Sequence, residues 1–523
     1  MKFKPSVIAA GALLLAAAAG CGGSGSSVAK ASAPTDHVLR LSFLQDPGQP
    51  PDPDIYYAGQ GLLLTTNLYE GLLQYEHGTA TPKITGLLAQ SWTASKDNTT
   101  FVLKLRQGVT FHDGTPFTSA AVKPAFDRRL AVNQGPAYMV ADVASVTTQG
   151  DYQVTVKLKS PDAAFLDYLA SPYGPRMMST KLMAANAGKD HGQTYLRTHD
   201  AGSGPYTLTD AKVGSHYEMK AYPGYWGTKP YFTTVDLPVE SDASTQQLLF
   251  NKGQLHAILH DLTASAVKQY LTTKTVKTYP LPTMMSDYLY LNPNSGILKD
   301  QATRVALEQA IDIDQIKKQV FEGRASIASQ AYPEHMMPAG LATQSIPHST
   351  AALQKIVASL PADKKTITIG YDSLSPDNQT VANLMSAQYA AIGLTAKVQS
   401  YPTATIFNWI TGTKGAPDML ATLGWPDAAP PYTWSHISFA ADGGLNYLHC
   451  SDPQITKLLP QVKDTGSAQL SSQIGQLSVA TGCWYNMVNQ DDFMVAQPWL
   501  KGVAESHIVA APNSLYLAGL SVG

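Results

Sequence analysis

Thr366-Ile367-Thr368-Ile369-Gly370-Tyr371 alternates polar and apolar side chains, and Leu394-Thr395-Ala396-Lys397-Val398 alternates again. Alternation of period two marks a strand with one buried face. Between the two runs, Val381, Leu384, Met385 and Ile392 recur at helical spacing. Asp377 or Asn378 stands where an N-cap is wanted, and Gly393 where a helix stops. Strand, helix and strand in this order predict two parallel strands joined by a right-handed crossover, and hence an α/β fold.

Working outward, a helical stretch around Thr405 to Ile410 precedes a short apolar strand, Asp418 to Leu423, which runs into Gly424-Trp425-Pro426-Asp427. In α/β sheets ligands sit beyond the carboxyl ends of strands, so Trp425 and Asp427 are the first candidates for a site. Toward the N-terminus, Leu39, Leu41 and Phe43 alternate as a strand before Asp46-Pro47-Gly48 and Pro50 to Pro53 break the pattern. Leu62 to Leu73 carries apolar residues at helical spacing. Phe101, Leu103 and Leu105 share one face, and the turns Gln107-Gly108 and Asp113-Gly114 make this stretch read as β-hairpins. Tyr288 to Asn292 reads as a strand, and Asp300 as the cap of a helix presenting Val305, Ile311, Ile313 and Ile316 to a core.

The first residues point to export. Lys2 and Lys4 precede an apolar run from Val7 to Ala19, which ends in Ala18-Ala19-Gly20-Cys21. Residues 1–20 read as a secretory signal peptide, too short to cross a bilayer as a helix. Small residues directly before Cys21 resemble a lipobox, in which the cysteine is diacylated; ordinary cleavage near an incidental cysteine is the alternative. Gly22-Gly23-Ser24-Gly25-Ser26-Ser27 then reads as a flexible tether, 21–35 with the lipidated cysteine.

At 523 residues the chain is too long for one core and divides into two or three domains. Charged residues make up only 15% and formal net charge is -2, so removing Lys2 and Lys4 leaves a mature chain near -4 with no basic block. Nucleic acid and anionic membrane surfaces are poor partners for such a chain. Cys450 and Cys483 are the two cysteines left after Cys21. In an oxidising compartment an even remainder suggests a disulfide, with two buried free thiols as the alternative.

The residues also resemble a known family, the peptide-and-nickel class of extracellular solute-binding proteins that serve ABC importers. The resemblance rests on Asn67-Leu68-Tyr69-Glu70-Gly71-Leu72, on the block from Leu88-Ala89-Gln90-Ser91-Trp92 through Phe101 to Thr118, and on Gly202-Ser203-Gly204-Pro205-Tyr206. Tyr225-Trp226-Gly227, Arg304-Val305-Ala306-Leu307 with Ala310-Ile311-Asp312, and Gly424-Trp425 with a nearby acid complete the order. It implies a two-lobed periplasmic-binding-protein-like fold with an extra domain inserted in the first lobe. Lobe I would comprise 36–60, 195–280 and 490–523, the insert 61–194, and lobe II 281–489. It further implies a monomeric carrier without cofactor or resident metal, lipid-anchored on the outer face of the cell membrane, that passes a peptide or other small solute to the permease subunits of an importer.

In peptide-binding members an aspartate shortly after the Gly-Trp pair holds the ligand's α-ammonium, which here falls on Asp427, one residue closer to the tryptophan than is common. Trp425 would supply a flat apolar wall or attract the cation. The competing account of the pair is a core tryptophan followed by a solvated turn aspartate. Phe407 follows the family's order for a pocket aromatic, or serves the core, and Asn446-Tyr447 follows it for the cleft. The chain departs from the family at Gly253-Gln254-Leu255-His256, where an acidic residue is usual. Pro124 interrupts a normally helical segment, and Ala428-Ala429-Pro430-Pro431 stands where a second acid is common.

Other classes find less support. His256 and His260 have the spacing of a zinc helix but no glutamate between them, and no nucleophile elbow or Walker loop is present, which argues against an enzyme. A surface receptor or adhesin on the same fold remains a distinct alternative, as does a sugar or metal chelate in place of peptide.

Overall fold

The computed structural model describes residues 31–523, apart from 58–59, 261, 339, 342–345 and 374. Residues 1–20, expected to be a signal peptide, and Cys21 therefore lie outside the described residues. No helix among the described residues is long and apolar enough to cross a membrane.

The βαβ unit forms as expected. Thr366–Asp372 pairs in parallel with Thr395–Tyr401, and the helix Pro376–Ala390 connects them. The cap differs from the expectation: Ser375 Oγ accepts from the backbone N–H of Asn378 at 3.2 Å. Pro376 occupies the first helical position, where its missing N–H costs nothing, so the helix starts earlier than Asp377. Gly393 adopts φ +83° just past the helix, a conformation that costs glycine little.

These two strands are the edge of a seven-stranded sheet in which two strands are exceptionally long. Lys277–Leu291 and Trp484–Ala496 run antiparallel, and Met419–Gly424 pairs with the other edge of the first. Tyr288 to Asn292, predicted as a short strand, is only the end of the former, which stops at Leu291. The ladder between the two breaks register between Leu281/Asp492 and Met285/Gln490. On one side of the break they pack with Ala257–Ile258 and on the other with Met419–Gly424. A second sheet orders Val38–Arg40, Thr234–Pro238, His216–Ala221 and Tyr206–Lys212, and a third, wholly antiparallel, contains Ala89–Ala94, Thr100–Leu105, Gln153–Leu158 and Val143–Thr148.

Three local expectations need correction. The helix from Leu62 stops at Leu68, because the backbone of Gly204 donates to Leu68 O at 3.0 Å, and Leu73 already belongs to a strand. The helix capped by Asp300 is two helices, Gln301–Gln309 and Ile313–Val320, the second capped by Asp312. Pro124 does not interrupt its segment: it sits in the first turn of the helix Val122–Val132, where no i−4 carbonyl awaits its nitrogen.

The motifs that carry the family resemblance brace one another. Asn67 donates to Leu63 O and Leu515 O, and its Oδ1 accepts from the N–H of Leu517. Glu70, fully buried, accepts from Ser203 Oγ at 2.7 Å, Tyr225 Oη at 3.2 Å and Trp226 Nε1 at 3.0 Å. Burial pushes its carboxyl up to about 7. Arg304 donates to Leu298 O and Thr481 O, closing a helix end onto the turn before Cys483. Cys483 is joined to Cys450 with Cα atoms 6.3 Å apart.

A buried charge network holds the Pro-rich loop after the first strand. Arg128 donates to Asp52 at 2.6 Å and to Asp54 at 2.6 Å, and Arg129 donates to Asp54 at 2.9 Å. Arg129 also donates to the carbonyls of Pro53, Tyr173 and Gly174. Removing one partner of such a group strands a charge, so Asp54→Asn is expected to destabilise the protein by about 3–5 kcal/mol, read from the urea midpoint. A loss under about 1 kcal/mol would mean that water replaces the carboxylate and the loop is held by other contacts.

Candidate functional site

A cavity of about 500 Å³ lies against the carboxyl end of Met419–Gly424 and the break in the long ladder. Trp425, Asp427 and Phe407 line it together with Tyr57, Tyr173 and Tyr447. Its size is in the range of small-molecule sites.

Asp427 is 4% exposed, so the account of a solvated turn aspartate does not describe it. Its Oδ2 accepts from Tyr57 Oη at 2.6 Å and Tyr138 Oη at 2.8 Å. Burial raises its carboxyl to about 6, against the lowering effect of the two phenols. Phenols are neutral donors and do not cancel its charge, so an ionised Asp427 would gain from a cation placed in the cavity. Ser171 Oγ donates to the carbonyl of Asp427, and the N–H of Ala429 donates to Tyr75 Oη at 3.0 Å. The segment from Asp427 to Ala429 is thus tied to residues far from it in sequence.

Trp425 is half-buried, and its Nε1 donates to Tyr173 Oη at 2.8 Å. Tyr173 in turn meets Tyr57 edge-on, with ring centroids 5.7 Å apart. Phe407 is 41% exposed, which a core role would not produce, and it stands edge-on to Tyr447 at 5.6 Å. Asn446 is placed differently. It is buried outside the cavity lining, and its side chain is spent on Ala440 O, Cys450 O and Cys450 N–H. It braces the loop that presents Leu445 and Tyr447, both of which do line the cavity.

Sequence reading missed Tyr57, Tyr138 and Tyr173, which come from loops and a short 3-10 turn without periodicity. It also missed Arg324, which pairs with Asp377 at 2.7 Å, and Asp491, both at the cavity. The only available signal was the run Asn489-Gln490-Asp491-Asp492, polar residues between apolar ones in the same strand. His256 and His260 do not form a zinc helix, since Ala257–Ile258 between them is a strand. Among the described residues no group of three or more His, Cys, Asp or Glu side chains is arranged to hold a metal ion.

Comparison with known proteins bears on this arrangement. The probable D,D-dipeptide-binding periplasmic protein DdpA of Escherichia coli K12 is 25% identical over 417 residues, covering 79% of this chain and 80% of that protein. Among solved structures, a dipeptide-binding protein from Pseudoalteromonas sp. SM9913 in complex with Met-Leu superposes with a TM-score of 0.81 at 17% identity, covering 93% of this chain and 100% of the other. NikA from Brucella suis in complex with Fe(III)-EDTA gives a TM-score of 0.81 at 22% identity, with the same coverage of 93% and 100%. These likenesses establish the two-lobed α/β architecture of periplasmic binding proteins. The model of the bacterial extracellular solute-binding proteins, family 5 Middle, matches residues 83–446, and the chain accordingly belongs to that family of solute-binding proteins.

Proposed function

We propose that the protein captures an extracellular peptide between two closing lobes and delivers it to the permease of an ABC importer. The observation that carries this reading is Asp427, a carboxylate at the wall of the cavity whose hydrogen bonds come from uncharged phenols. A peptide's α-ammonium is the complement such a group lacks. Curated relatives named as dipeptide and di/tripeptide binders support the class of ligand.

In this reading lobe I is 36–60, 195–280 and 490–523, the insert is 61–194, and lobe II is 281–489. The two long strands then cross between lobes where their ladder breaks register, at Leu281/Asp492 and Met285/Gln490. A break of this kind leaves few hydrogen bonds to resist bending and suits a hinge. On these bounds the bonds from Tyr57, Tyr138 and Ser171 to Asp427 join lobe I and its insert to lobe II, which supports reading the described conformation as closed. Diacylation of Cys21 and the tether would hold this monomeric carrier at the outer face of the membrane.

Three outcomes follow. Peptide should raise the melting temperature of the parent protein and fail to do so for Asp427→Ala, because stabilisation by a ligand scales with its affinity for the folded state. An equal shift in both proteins would remove Asp427 from the site. The ammonium needs an ionised carboxylate, and a proton competes for it below about 6. Calorimetric affinity should therefore hold above pH 7 and fall by about tenfold for each pH unit below 6; a flat profile from pH 7 to 4 would contradict the pairing. Cys21→Ser should move the protein from the membrane fraction to the medium or periplasm, and persistent membrane association would end the lipoprotein assignment.

A further inference from the structure

We infer that the cavity takes a ligand with two positive centres and no free carboxylate, one cation meeting Asp427 and the other Asp491. The inference rests on the reading of this cavity as the solute site and concerns the charge of what enters it.

The lining contains six carboxylates, Asp46, Asp372, Asp377, Asp427, Asp491 and Asp492, against two basic side chains, Arg324 and His260. Even with His260 protonated the acids outnumber the bases. Arg324 pairs with Asp377 at 2.7 Å and donates to the carbonyl of Val320 at 2.9 Å, and its Nε is buried without a hydrogen-bond partner. A zwitterionic dipeptide needs a partner for its carboxylate as well as for its ammonium, and the charge of the one guanidinium in this lining is already balanced by an aspartate.

The acids differ in what satisfies them. Asp46 accepts from two backbone N–H groups and from Tyr217 Oη, and Asp492 from His507 Nε2 and the N–H of Asn513. Asp427 has only phenols. Asp491 has no side-chain hydrogen bond among the described residues. Burial, followed by the neighbouring Glu334 and Asp492, raises its carboxyl to about 6, so it is a charge without compensation. A cation beside it would relieve both the burial and the repulsion.

Strand geometry fixes the relation of the two. Ser286 pairs with Gly424 on one side and with Asn489 on the other, both antiparallel. The strands bearing Gly424 and Asn489 therefore flank the same residue and run in the same direction. Asp427 follows three residues after the end of the first of these strands and Asp491 two residues after Asn489, at the register break, and the two strands are two spacings apart, or roughly 10 Å. An α-ammonium and the end of an extended basic side chain suit two acids so placed.

Calorimetric titration with four probes tests this: Lys-Lys amide, its norleucine isostere Nle-Nle amide, Nle-Nle with a free carboxylate, and spermidine. Lys-Lys amide should bind about tenfold or more tighter than Nle-Nle amide. In Asp491→Asn, with its fold checked by circular dichroism, that ratio should shrink to about twofold or less. Equal affinities in the parent protein, or a lysine preference that persists in Asp491→Asn, overturn the inference. If free-carboxylate Nle-Nle binds as well as Lys-Lys amide, the charge inference falls while the peptide reading stands. If spermidine alone binds, the peptide reading falls and the charge inference stands. If no probe binds, both fall.

Discussion

The double-arginine network of Arg128 and Arg129 with Asp52 and Asp54 is the constraint on which the cavity wall depends. The Pro-rich loop that contains Asp52 and Asp54 has no regular structure to place it, and the segment at Tyr173 and Gly174 is likewise irregular. Arg129 binds both, through Pro53 O on one side and Tyr173 O and Gly174 O on the other. Tyr57 and Tyr173 follow directly, and through them Asp427 and Trp425 obtain their phenolic partners. A planar guanidinium with five donors can fix two loops at once, which a lysine could not do.

A second dependence runs through the long antiparallel strands. They bring Asp491 and the end of Met419–Gly424 to the same place because both neighbours pair with Ser286. The register break falls at Asp491, which lines the cavity, and it leaves the two strands least tied. In the proposed reading, binding chemistry and the capacity to bend share one short stretch of backbone, which would couple closure on a ligand to the contact that the ligand makes.

The motifs most legible in the sequence turn out to be braces. Asn67, Glu70, Ser203, Tyr225, Trp226 and Arg304 are engaged with backbone or with one another. Substituting any of these buried groups would strand its partner, and a buried polar group without its partner costs on the order of 1–3 kcal/mol. The cavity residues, by contrast, come from single positions on separate loops, and no spacing rule connects Tyr57, Tyr138, Asp427 and Asp491. Asn446 marks the limit of reading by order alone: the position is right to within one residue, yet its amide braces the loop and Tyr447 faces the cavity.

From the sequence alone came the α/β class, the parallel βαβ unit, the place of Trp425 and Asp427 at a strand end, and the pairing of Cys450 with Cys483 as one of two options. Those features are local, set by period, by turn residues and by the count of cysteines. Tertiary structure decided that Pro124 sits inside a helix, that Ser375 is the cap, that Asp427 is buried against phenols from distant loops, and that Arg324 pairs with Asp377. These depend on which backbone groups and charges meet across hundreds of residues. Hydrogen bonding and desolvation act on distance in space, and distance along the chain carries almost no record of it.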